Sequence, residues 1–448
     1  MKKNSIQYDI LIIGGGPAGT SAGMTALKRK GTKVAVIESS NYSNYRIGES
    51  LTPGVRPLLE YLNVWENFRN EQSLDAFGSR SVWGSDQVET LDYMFTIHGQ
   101  GWSLDRLRFD KMLAENFKKQ GGELFISTKF LRSSFSDGIW IVECQDENGN
   151  IFQIKAKYLI DATGRKGLIA RQQGATRKVF DKLIGVACIG TFDSDTNIEH
   201  FLSVEACSYG WWYVSPLPNN KVAVVLMSDS DVISQLKAVQ SQQFFQLLFS
   251  TKHTQERVKN ISFGDVPTAF SAFSSYLTKM GSDNWIAIGD AVASHDPLSS
   301  TGIPHAISSG IHGARVADDF LFGDGILLPY YEKGIQENYM QYLKTRSKYY
   351  VKERRWHDEI FWKRRTTPVM LNPHTHIIKN DNKEILNFTQ TTYLTKTYSQ
   401  KLLKYCETKI EMHQVVNRFA KEYPQFPDEN IILGLQELVI SKHINVCR

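Results

Sequence analysis

The hydrophobic pattern near the N-terminus predicts a β-α-β unit. Asp9–Ile13 is a short, nearly all-apolar run, which is typical of a strand buried on both faces. A helix is expected from about Ala18 to Lys30, and Thr32–Ile37 has the pattern of a second strand. The first strand runs directly into Gly14–Gly19 (Gly-Gly-Gly-Pro-Ala-Gly), which fits the spacing G-x-G-x-x-G.

The glycine segment has the chemistry of a dinucleotide site. Gly14 permits the tight turn, Gly16 lets the backbone approach a diphosphate, and Gly19 lets the helix pack closely on the strand. The helix N-terminus attracts phosphate, and Glu38, about 20 residues beyond the glycines, can accept from ribose hydroxyls. An acid at this position argues against a 2′-phosphate, so FAD or NAD is expected. A glycine turn that binds nothing is disfavoured, because the strand, the helix, the second strand and the acid all have the spacing of a dinucleotide-binding unit.

The pattern after residue 70 predicts strands interrupted by one long helix. Residues 74–100 alternate and carry aromatic side chains, which favours two or three antiparallel strands. A helix is expected to open within Trp102–Asp110, with Ser103 as its N-cap, and to run to about Lys119. Further strands are expected in 121–142 with a turn near Asp137-Gly138, and a hairpin is expected at Asp146–Gly149.

Two more buried strands end in segments that carry an acid and a glycine. The first is Lys157–Gly164, which contains Asp161-Ala162-Thr163-Gly164, and the second is Trp285–Asp290. A loop, Asp296–Gly302, and a helix, Ile303–Phe320, follow the second. The remaining segments are expected to be strand-rich over 182–230, helical over 231–257, and helical from about Pro329 to the end.

Composition indicates a globular chain without a membrane span. The 448 residues are 42% hydrophobic and 22% charged, and no apolar run reaches about 18 residues. Lys2 and Lys3 precede apolar residues as in a signal peptide, but that run is short and belongs to the nucleotide fold, so a cytoplasmic location is expected. The five cysteines are odd in number and show no C-x-x-C spacing, which favours reduced thiols without a disulfide or metal site.

Positive charge is concentrated in the last part of the chain. From Tyr331 onward there are 20 Lys/Arg and 13 Asp/Glu, whereas the whole chain has a net charge of +5. This positive charge could bind an acidic partner. It is explained at least as well by a solvated helical surface.

Three separated segments together resemble a known family. They are Gly14–Gly19, Asp161–Gly164, and Gly289-Asp290 with the loop and helix that follow. This arrangement resembles the single-Rossmann FAD monooxygenases of the p-hydroxybenzoate hydroxylase type over most of residues 8–320. The resemblance implies an FAD site formed by Gly14, Gly16, Pro17, Ala18, Gly19, Glu38, Ser39, Arg46, Gly48, Glu49, Ser50, Arg106, Asp161, Gly164, Gly289, Asp290, Pro297, Gly302 and Ile303.

The resemblance also implies the fold class and its division. The chain is expected to be α/β, with a Rossmann-like FAD-binding domain of the GR2 type, an inserted antiparallel β-sheet substrate domain and a helical C-terminal region. The expected division is FAD-binding over 1–75, 101–180 and 279–328, substrate-domain strands over 76–100 and 181–278, and a helical, possible partner-binding domain over 329–448.

Two segments are similar to the flavin-dependent halogenase branch of this superfamily. They are Gly48-Glu49-Ser50 and Gly210–Pro216, but Tyr213 and Ser215 stand where halogenases carry the second Trp and the Ile of G-W-x-W-x-I-P. Halogenases also need a lysine to hold and deliver hypohalous acid, and by approximate alignment Gly78 stands at that place. Halogenation is therefore disfavoured.

A closer resemblance lies in the last third of the chain. Tyr349–Trp356 and Phe361–Arg365, with the loop Asp296–Ile303, are similar to the LodB-like, GoxB-like and QhpG-like flavoproteins that mature tryptophylquinone enzymes. The resemblance implies hydroxylation of a tryptophan residue in a quinoprotein precursor, an oxidase or dehydrogenase subunit. The competing interpretation is a helix whose aromatic side chains belong to the core and whose basic side chains form a solvated face, without any role in partner binding.

The implied chemistry needs FAD, an electron source and O₂. There is one dinucleotide fingerprint, so FAD must be reduced by NAD(P)H bound transiently or by a separate reductase, and the sequence leaves both open. His295, which could titrate near neutrality, and Glu49, which could instead brace its loop, are the catalytic candidates. The candidate substrate pocket is Trp211, Trp212, Tyr213 and His305, and no metal, nucleic acid or membrane partner is expected.

Two other functions stay open on this sequence. One is a small-molecule indole or phenol hydroxylase, or a halogenase-like tailoring enzyme. The other is a non-catalytic flavoprotein chaperone that binds and holds its partner.

Overall fold

The structure is a computed structural model that describes residues 7–43, 46–71, 73–93, 99–193, 198–366, 372–380, 391, 394–440 and 443–447. This chain divides into two compact units. Unit 1 comprises residues up to Tyr339 and Lys352–Phe361, and unit 2 comprises Met340–Val351 and Trp362 onward.

The strands cover both units and are numbered in chain order. They are β1 (Gln7–Ile13), β2 (Val34–Ile37), β3 (Ser50–Leu51), β4 (Leu74–Ala76), β5 (Gly78–Val82), β6 (Glu89–Asp92), β7 (Gly101–Ser103), β8 (Glu123–Phe125), β9 (Lys129–Ser136), β10 (Ile139–Gln145), β11 (Ile151–Asp161), β12 (Arg177–Val179), β13 (Leu183–Thr191), β14 (Phe201–Cys207), β15 (Gly210–Leu217), β16 (Lys221–Asp229), β17 (Ser262–Phe263), β18 (Thr268–Ser271), β19 (Ser275–Leu277), β20 (Trp285–Ala287), β21 (Ala293–Ser294), β22 (His376–Lys379), β23 (Ile410–Glu411) and β24 (Ile444–Cys447).

The α-helices are numbered in the same way. They are α1 (Pro17–Ala26), α2 (Arg56–Tyr61), α3 (Trp65–Asn70), α4 (Arg106–Lys119), α5 (Leu168–Gln172), α6 (Ser230–Leu236), α7 (Ser241–Phe249), α8 (Thr254–Val258), α9 (Gly302–Phe322), α10 (Leu327–Lys352), α11 (Ile360–Thr366), α12 (Lys396–Lys404), α13 (Met412–Glu422) and α14 (Asp428–Ile440). Among the described residues, no helix is both long and apolar enough to cross a membrane.

A Rossmann-like sheet organises unit 1. Its parallel part runs in the order β8-β2-β1-β11-β20, and β10 and β9 add an antiparallel extension to the first half of β11. Ile10, Leu11 and Ile12 of β1 are fully buried, as a strand covered on both faces requires. The β-α-β unit, the strand ending at Asp161 and the strand from Trp285 are therefore confirmed.

A second, mostly antiparallel sheet forms the other layer of unit 1. Its order is β17-β13-β16-β15-β14-β5-β6, with β18 paired to β13, and β14 and β5 are parallel. One face packs on α7, where Trp212, Val224 and Leu226 meet Phe244 and Leu248 in a buried cluster. The predicted fold class, a parallel FAD-type sheet with an added antiparallel sheet and a helical C-terminal region, is confirmed.

The helix predicted near residue 103 begins later than expected. Ser103 belongs to β7, and Asp105 is the N-cap of α4, because its carboxylate accepts from the N–H groups of Leu107 and Arg108 at 3.0 and 3.2 Å. The Ser103 prediction was therefore wrong. The predicted strands over 74–100 are β4, β5 and β6, and residues 94–98 lie outside the described residues.

Unit 2 has a helical core and a small sheet. Leu402, Val415, Phe419 and Leu435 are among the residues of its buried cluster, which α12, α13 and α14 supply. Three short strands pair in the order β23-β22-β24, so a small sheet that the sequence did not predict interrupts the helical region. Residues 367–371, 381–390, 392–393, 441–442 and 448 lie outside the described part of this region.

Candidate active site

The glycine segment forms a tight turn between β1 and α1. Gly14 has a φ of +111°, and a Cβ there would lie 2.2 Å from the carbonyl oxygen of Ala162. A Cβ on Gly19 would lie 1.9 Å from the carbonyl oxygen of Gly14, so only glycine allows α1 to approach the strand this closely. A Cβ on Gly16 would meet nothing within 4 Å, because this backbone borders open space.

The start of α1 is suited to a phosphate group. Gly16 is its N-cap, Pro17 is its first residue, and none of the described side chains caps this end. The first helical N–H groups therefore point toward the open space beside Gly16, together with the positive end of the helix dipole.

Glu38 organises the end of β2. Its Oε2 accepts from the N–H of Gly15 at 2.8 Å, and its Oε1 accepts from the N–H and hydroxyl of Ser40 at 2.9 and 2.7 Å. Arg46 donates to the same Oε1 at 3.0 Å and to Oδ2 of Asp110 at 2.8 Å. Glu38 is buried, but it lines a cavity beside the glycine turn, as the ribose-binding prediction requires.

Arg106 is held by the loop that follows β2. It donates to the carbonyl oxygens of Ile47 and Gly48 at 2.5 and 3.3 Å and pairs with Asp110 at 3.2 Å. Burial lowers the pKa of Arg46, but the neighbouring carboxylates of Asp110 and Glu38 raise it further, so the net change is upward. These cations and acids fix the loop in place, and Arg106 still lines the cavity.

A cavity of about 800 Å³ extends from the glycine turn to the antiparallel sheet. Its size lies within the range of cofactor and ligand sites. Most of the predicted FAD residues line it, namely Gly14, Gly16, Pro17, Ala18, Glu38, Ser39, Arg46, Gly48, Glu49, Ser50, Arg106, Gly164, Asp290, Pro297, Gly302 and Ile303.

Three predicted cofactor residues support the site from behind it. Gly19 packs α1 on β1, and Gly289 has a φ of +58° and donates to the hydroxyl of Ser309 at 2.8 Å. The buried carboxylate of Asp161 accepts from the N–H and hydroxyl of Thr163 and from the N–H of Ala170 at 2.6 to 3.0 Å. These bonds favour a structural role for Asp161 over direct contact with the cofactor. The Asp161 carboxylate fixes the loop that carries Gly164.

The antiparallel sheet supplies an aromatic and apolar wall. Trp211, Tyr213 and Ser215 of β15 line the cavity, and Leu202 and Val204 of β14 stand beside them. Alternate residues of a strand point to opposite faces, so Trp212 lies on the other side of the sheet. There its ring packs on Phe244 at 5.2 Å, which makes the prediction of Trp212 as a pocket residue wrong.

The cavity wall and the cofactor loop meet at Glu49. The hydroxyl of Tyr213 donates to Oε2 of Glu49 at 3.3 Å, and both side chains are buried. Burial, with the nearby Glu49 carboxylate, raises the pKa of Tyr213 well above its usual range, so it remains a phenol and a donor. A carboxylate and a phenol thus lie together beside the aromatic wall of the cavity.

His295 lines the cavity and is neutral. Its burial, with the neighbouring His305 and Arg165, lowers its pKa to about 2. The expectation that His295 titrates near neutrality was therefore wrong, and its participation in the chemistry stays a prediction. His305 packs edge-on against it with ring centroids 4.5 Å apart, but His305 is not among the described residues that line the cavity.

The aromatic-basic segment near residue 353 is anchored beside the aromatic wall. Glu353 is fully buried and accepts from the N–H of Gly84 at 2.8 Å and from Arg355 at 2.6 and 2.9 Å. Arg355 also pairs with Asp86 at 2.6 Å. Trp83 precedes Gly84 and contacts Trp211 with ring centroids 6.4 Å apart.

This anchoring was not expected from the sequence. Because Lys352–Trp356 and the β5–β6 turn are far apart in the chain, no local pattern could join them. The segment that the sequence linked to tryptophylquinone maturation thus contacts the same turn as the cavity wall.

Comparison with known proteins identifies the family to which this chain belongs. The sequence profile of the FAD-binding domain family matches residues 7–313. The chain belongs to this FAD-binding family. It is a flavoprotein of the FAD-dependent oxidoreductase class, and the glycine cradle, Glu38 and the cavity fit FAD.

Two relatives and one solved structure are similar to this chain. It is 31% identical to LodB of Marinomonas mediterranea, provisionally named an FAD-dependent oxidoreductase, over 80% of this chain and 96% of LodB. It is 27% identical to a tryptophan 2-halogenase of Chondromyces crocatus over 79% of this chain and 69% of that protein. The fold matches the myxobacterial chondrochloren halogenase CndH with a TM-score of 0.74 and 18% identity, over 97% of each chain.

Gly78, which stands by approximate alignment where halogenases carry their lysine, has a structural role in this FAD-binding protein. Gly78 begins β5, and a Cβ there would lie 2.1 Å from the carbonyl oxygen of Leu91. None of residues 73–84 lines the cavity in the described chain, and the lysines that do, Lys129 and Lys166, lie on β9 and in a short turn after β11.

Proposed function

We propose that this flavoprotein is an FAD-dependent monooxygenase that hydroxylates a tryptophan residue of a partner protein precursor during tryptophylquinone biogenesis. One observation carries the proposal: a glycine cradle and an aromatic wall line the same cavity of about 800 Å³. Bound FAD would supply the electrons that activate O₂, after reduction by NAD(P)H or by a separate reductase.

The residues of the chain would exclude water and orient an electron-rich ring. Leu202, Val204 and Phe270 are apolar residues that line the cavity together with Trp211 and Tyr213. An indole fits such a wall, because aromatic rings pack edge-on or offset at the distances seen between these side chains. A dry pocket also prevents loss of activated oxygen to water.

Glu49 is the candidate acceptor of the ring proton. Its buried carboxylate lines the cavity and is oriented by the Tyr213 hydroxyl at 3.3 Å. A general base must lie within hydrogen-bonding reach of the proton it takes, and a base braced by a fixed donor keeps that position. His295, held neutral, would act as a hydrogen-bonding group rather than as a titrating base.

Two features favour a protein substrate over a free amino acid. The similarity to LodB extends over nearly the whole of that relative, and LodB-like flavoproteins are the family that Tyr349–Arg365 resembles. In addition, Glu353 and Arg355 anchor part of this motif on the turn that carries Trp83, beside the cavity wall. A partner that contacts the Lys352–Trp356 part of this motif would lie next to the aromatic wall.

The test is mass spectrometry of a quinoprotein precursor co-expressed with the flavoprotein. A precursor encoded beside this chain in the genome is the appropriate partner. We expect oxygen added to one tryptophan with the wild-type protein and an unmodified precursor with Gly16→Ala, which disturbs the cofactor cradle. An unchanged precursor mass with fully FAD-loaded wild-type protein would refute the proposal.

A small-molecule function is the second candidate, favoured by the similarity to a tryptophan 2-halogenase. It predicts turnover of free indoles or phenols without any protein partner. Halide in the product would contradict the argument from Gly78. A flavoprotein chaperone is the remaining alternative. It would be indicated by bound FAD that no reductant reduces, together with stable binding of the partner.

A further inference from the structure

A cluster of histidines and one glutamate lies in unit 2. His376 of β22 stands opposite Glu411 of β23, and the backbone N–H of His413 donates to the carbonyl oxygen of Pro373 at 3.0 Å. Two chain segments distant in sequence are thus joined by backbone hydrogen bonds. This backbone pairing brings the histidines and the glutamate close together.

The imidazole and carboxylate atoms have the separations of metal ligands. Nδ1 of His413 lies 3.2 Å from Oε2 of Glu411, and Nδ1 of His374 lies 3.5 Å from the same oxygen. One ligand atom from each of these three residues lies within 4.8 Å of the other two. Neighbouring ligand atoms in a tetrahedral zinc site are roughly 3.3 Å apart, because the bonds are about 2.0–2.2 Å long.

We propose that His374, Glu411 and His413 bind a zinc ion, with water at the fourth position. Two imidazoles and a carboxylate are a zinc-type ligand set, whereas Ca²⁺ and Mg²⁺ prefer oxygen ligands. His376, whose Nε2 lies 3.9 Å from Oε1 of Glu411, faces the other carboxylate oxygen and helps to orient it.

Zinc binding requires a change of tautomer at both histidines, because Nδ1 of His374 faces the acceptor oxygen Oε2 of Glu411 at 3.5 Å. Nδ1 of His413 also lies 2.8 Å from the carbonyl oxygen of Pro373, which can only accept, so this contact places a proton on Nδ1. Ligation by Nδ1 moves that proton to Nε2, which changes the tautomer and leaves the ring uncharged.

The ion would cross-link the segment before β22 to the start of α13. Such a link stabilises the folded state by favouring it over the unfolded chain. The sequence predicted no metal site, because His374 and His376 are separated from Glu411 and His413 by a long stretch of chain. Only the paired strands bring them together.

Calorimetric titration of the full-length, FAD-loaded protein with ZnCl₂, after EDTA treatment and desalting, tests the proposal. We expect one saturable site, and His374→Ala should weaken it by roughly tenfold or more. The matched control is His357→Ala, since His357 is an exposed histidine 3.0 Å from Asp358 and outside the cluster. That variant should bind zinc like the wild type, and CaCl₂ should give no saturable binding.

Two results would overturn the zinc site. One is the absence of saturable zinc uptake by the wild-type protein, and the other is equal affinity in wild type, His374→Ala and Glu411→Gln. Circular dichroism and the flavin spectrum verify that each variant is folded. The side chain of His374 is 80% exposed, so its removal leaves the core intact and keeps the test decisive.

Discussion

The hydroxyl of Tyr213 donates to the carboxylate of Glu49 across 3.3 Å, and this bond joins the antiparallel sheet to the loop that precedes β3. Tyr213 belongs to the antiparallel sheet, and Glu49 belongs to the loop that the Arg106–Asp110 pair supports. The bond therefore places the candidate base where the aromatic wall meets the cofactor loop.

Replacing Tyr213 by Phe should lower turnover and leave FAD binding nearly unchanged. The change removes one donor to a buried carboxylate, which is worth about 1.5 kcal/mol or more, so we expect roughly a tenfold fall in kcat. Steady-state kinetics with the modified substrate and an FAD titration measure the two effects. A variant with wild-type kcat would show that Glu49 needs no support from Tyr213.

Two glycine substitutions should separate cofactor binding from folding. In Gly16→Ala the new methyl group projects into the space that a diphosphate would occupy, so FAD affinity should fall while the thermal midpoint of the apoprotein stays within a few degrees. In Gly19→Ala the methyl group would overlap the carbonyl oxygen of Gly14, so folding itself should fail or weaken. Thermal denaturation and FAD titration of both variants provide the measurement. Equal FAD affinity in Gly16→Ala and wild type would contradict the cradle.

The neighbouring tryptophans of β15 should respond differently to substitution by phenylalanine. Trp211→Phe changes the cavity wall, so it should alter KM or kcat. Trp212→Phe leaves a gap beside Phe244 on the other face, so it should cost roughly 1 to 3 kcal/mol of stability with kinetics preserved. Denaturant unfolding and steady-state kinetics distinguish them, and an exchange of the two phenotypes would mean that the strand faces are assigned wrongly.

Acid should destabilise the fold through His295. Its folded-state pKa is lowered to about 2 from 6.5, so the unfolded chain binds a proton below pH 6.5 that the folded protein does not. Stability from this group is full above pH 6.5 and is lost as the pH falls below it. Between pH 6.5 and pH 5 the wild type should lose about 1.7 kcal/mol more than His295→Asn.

Denaturant unfolding at both pH values measures this loss, with His357→Asn as the control that should follow the wild type. The exposed His357 has no comparable burial. A wild type that loses no more stability than His295→Asn would show that the imidazole is already protonated in the folded protein.

Local sequence patterns predicted the parts of the site that depend on local geometry. Gly14–Gly19 lies between adjacent elements of one β-α-β unit, so its spacing alone fixes the turn, the helix start and the place of Glu38. The N-cap of α4 was misplaced because Ser103 and Asp105 are both good caps, and only the pairing of β7 with β3 and β4 assigns Ser103 to a strand.

The parts of the site that depend on tertiary packing were not predictable. Alternation along β15 separates Trp212 from its two neighbours, but only the position of α7 decides which face is the core. The lowered pKa of His295 depends on its burial and on His305 and Arg165, which tertiary packing brings around it. Glu353 likewise meets Gly84 through a contact between distant parts of the chain.

The central claim is that the cavity between the glycine turn and the aromatic wall holds one FAD per chain. The most direct measurement is the visible spectrum of the purified full-length protein, followed by release and quantification of its flavin. We predict a yellow protein that releases FAD in a one-to-one ratio with the chain. A colourless protein that takes up no FAD on reconstitution would contradict the account.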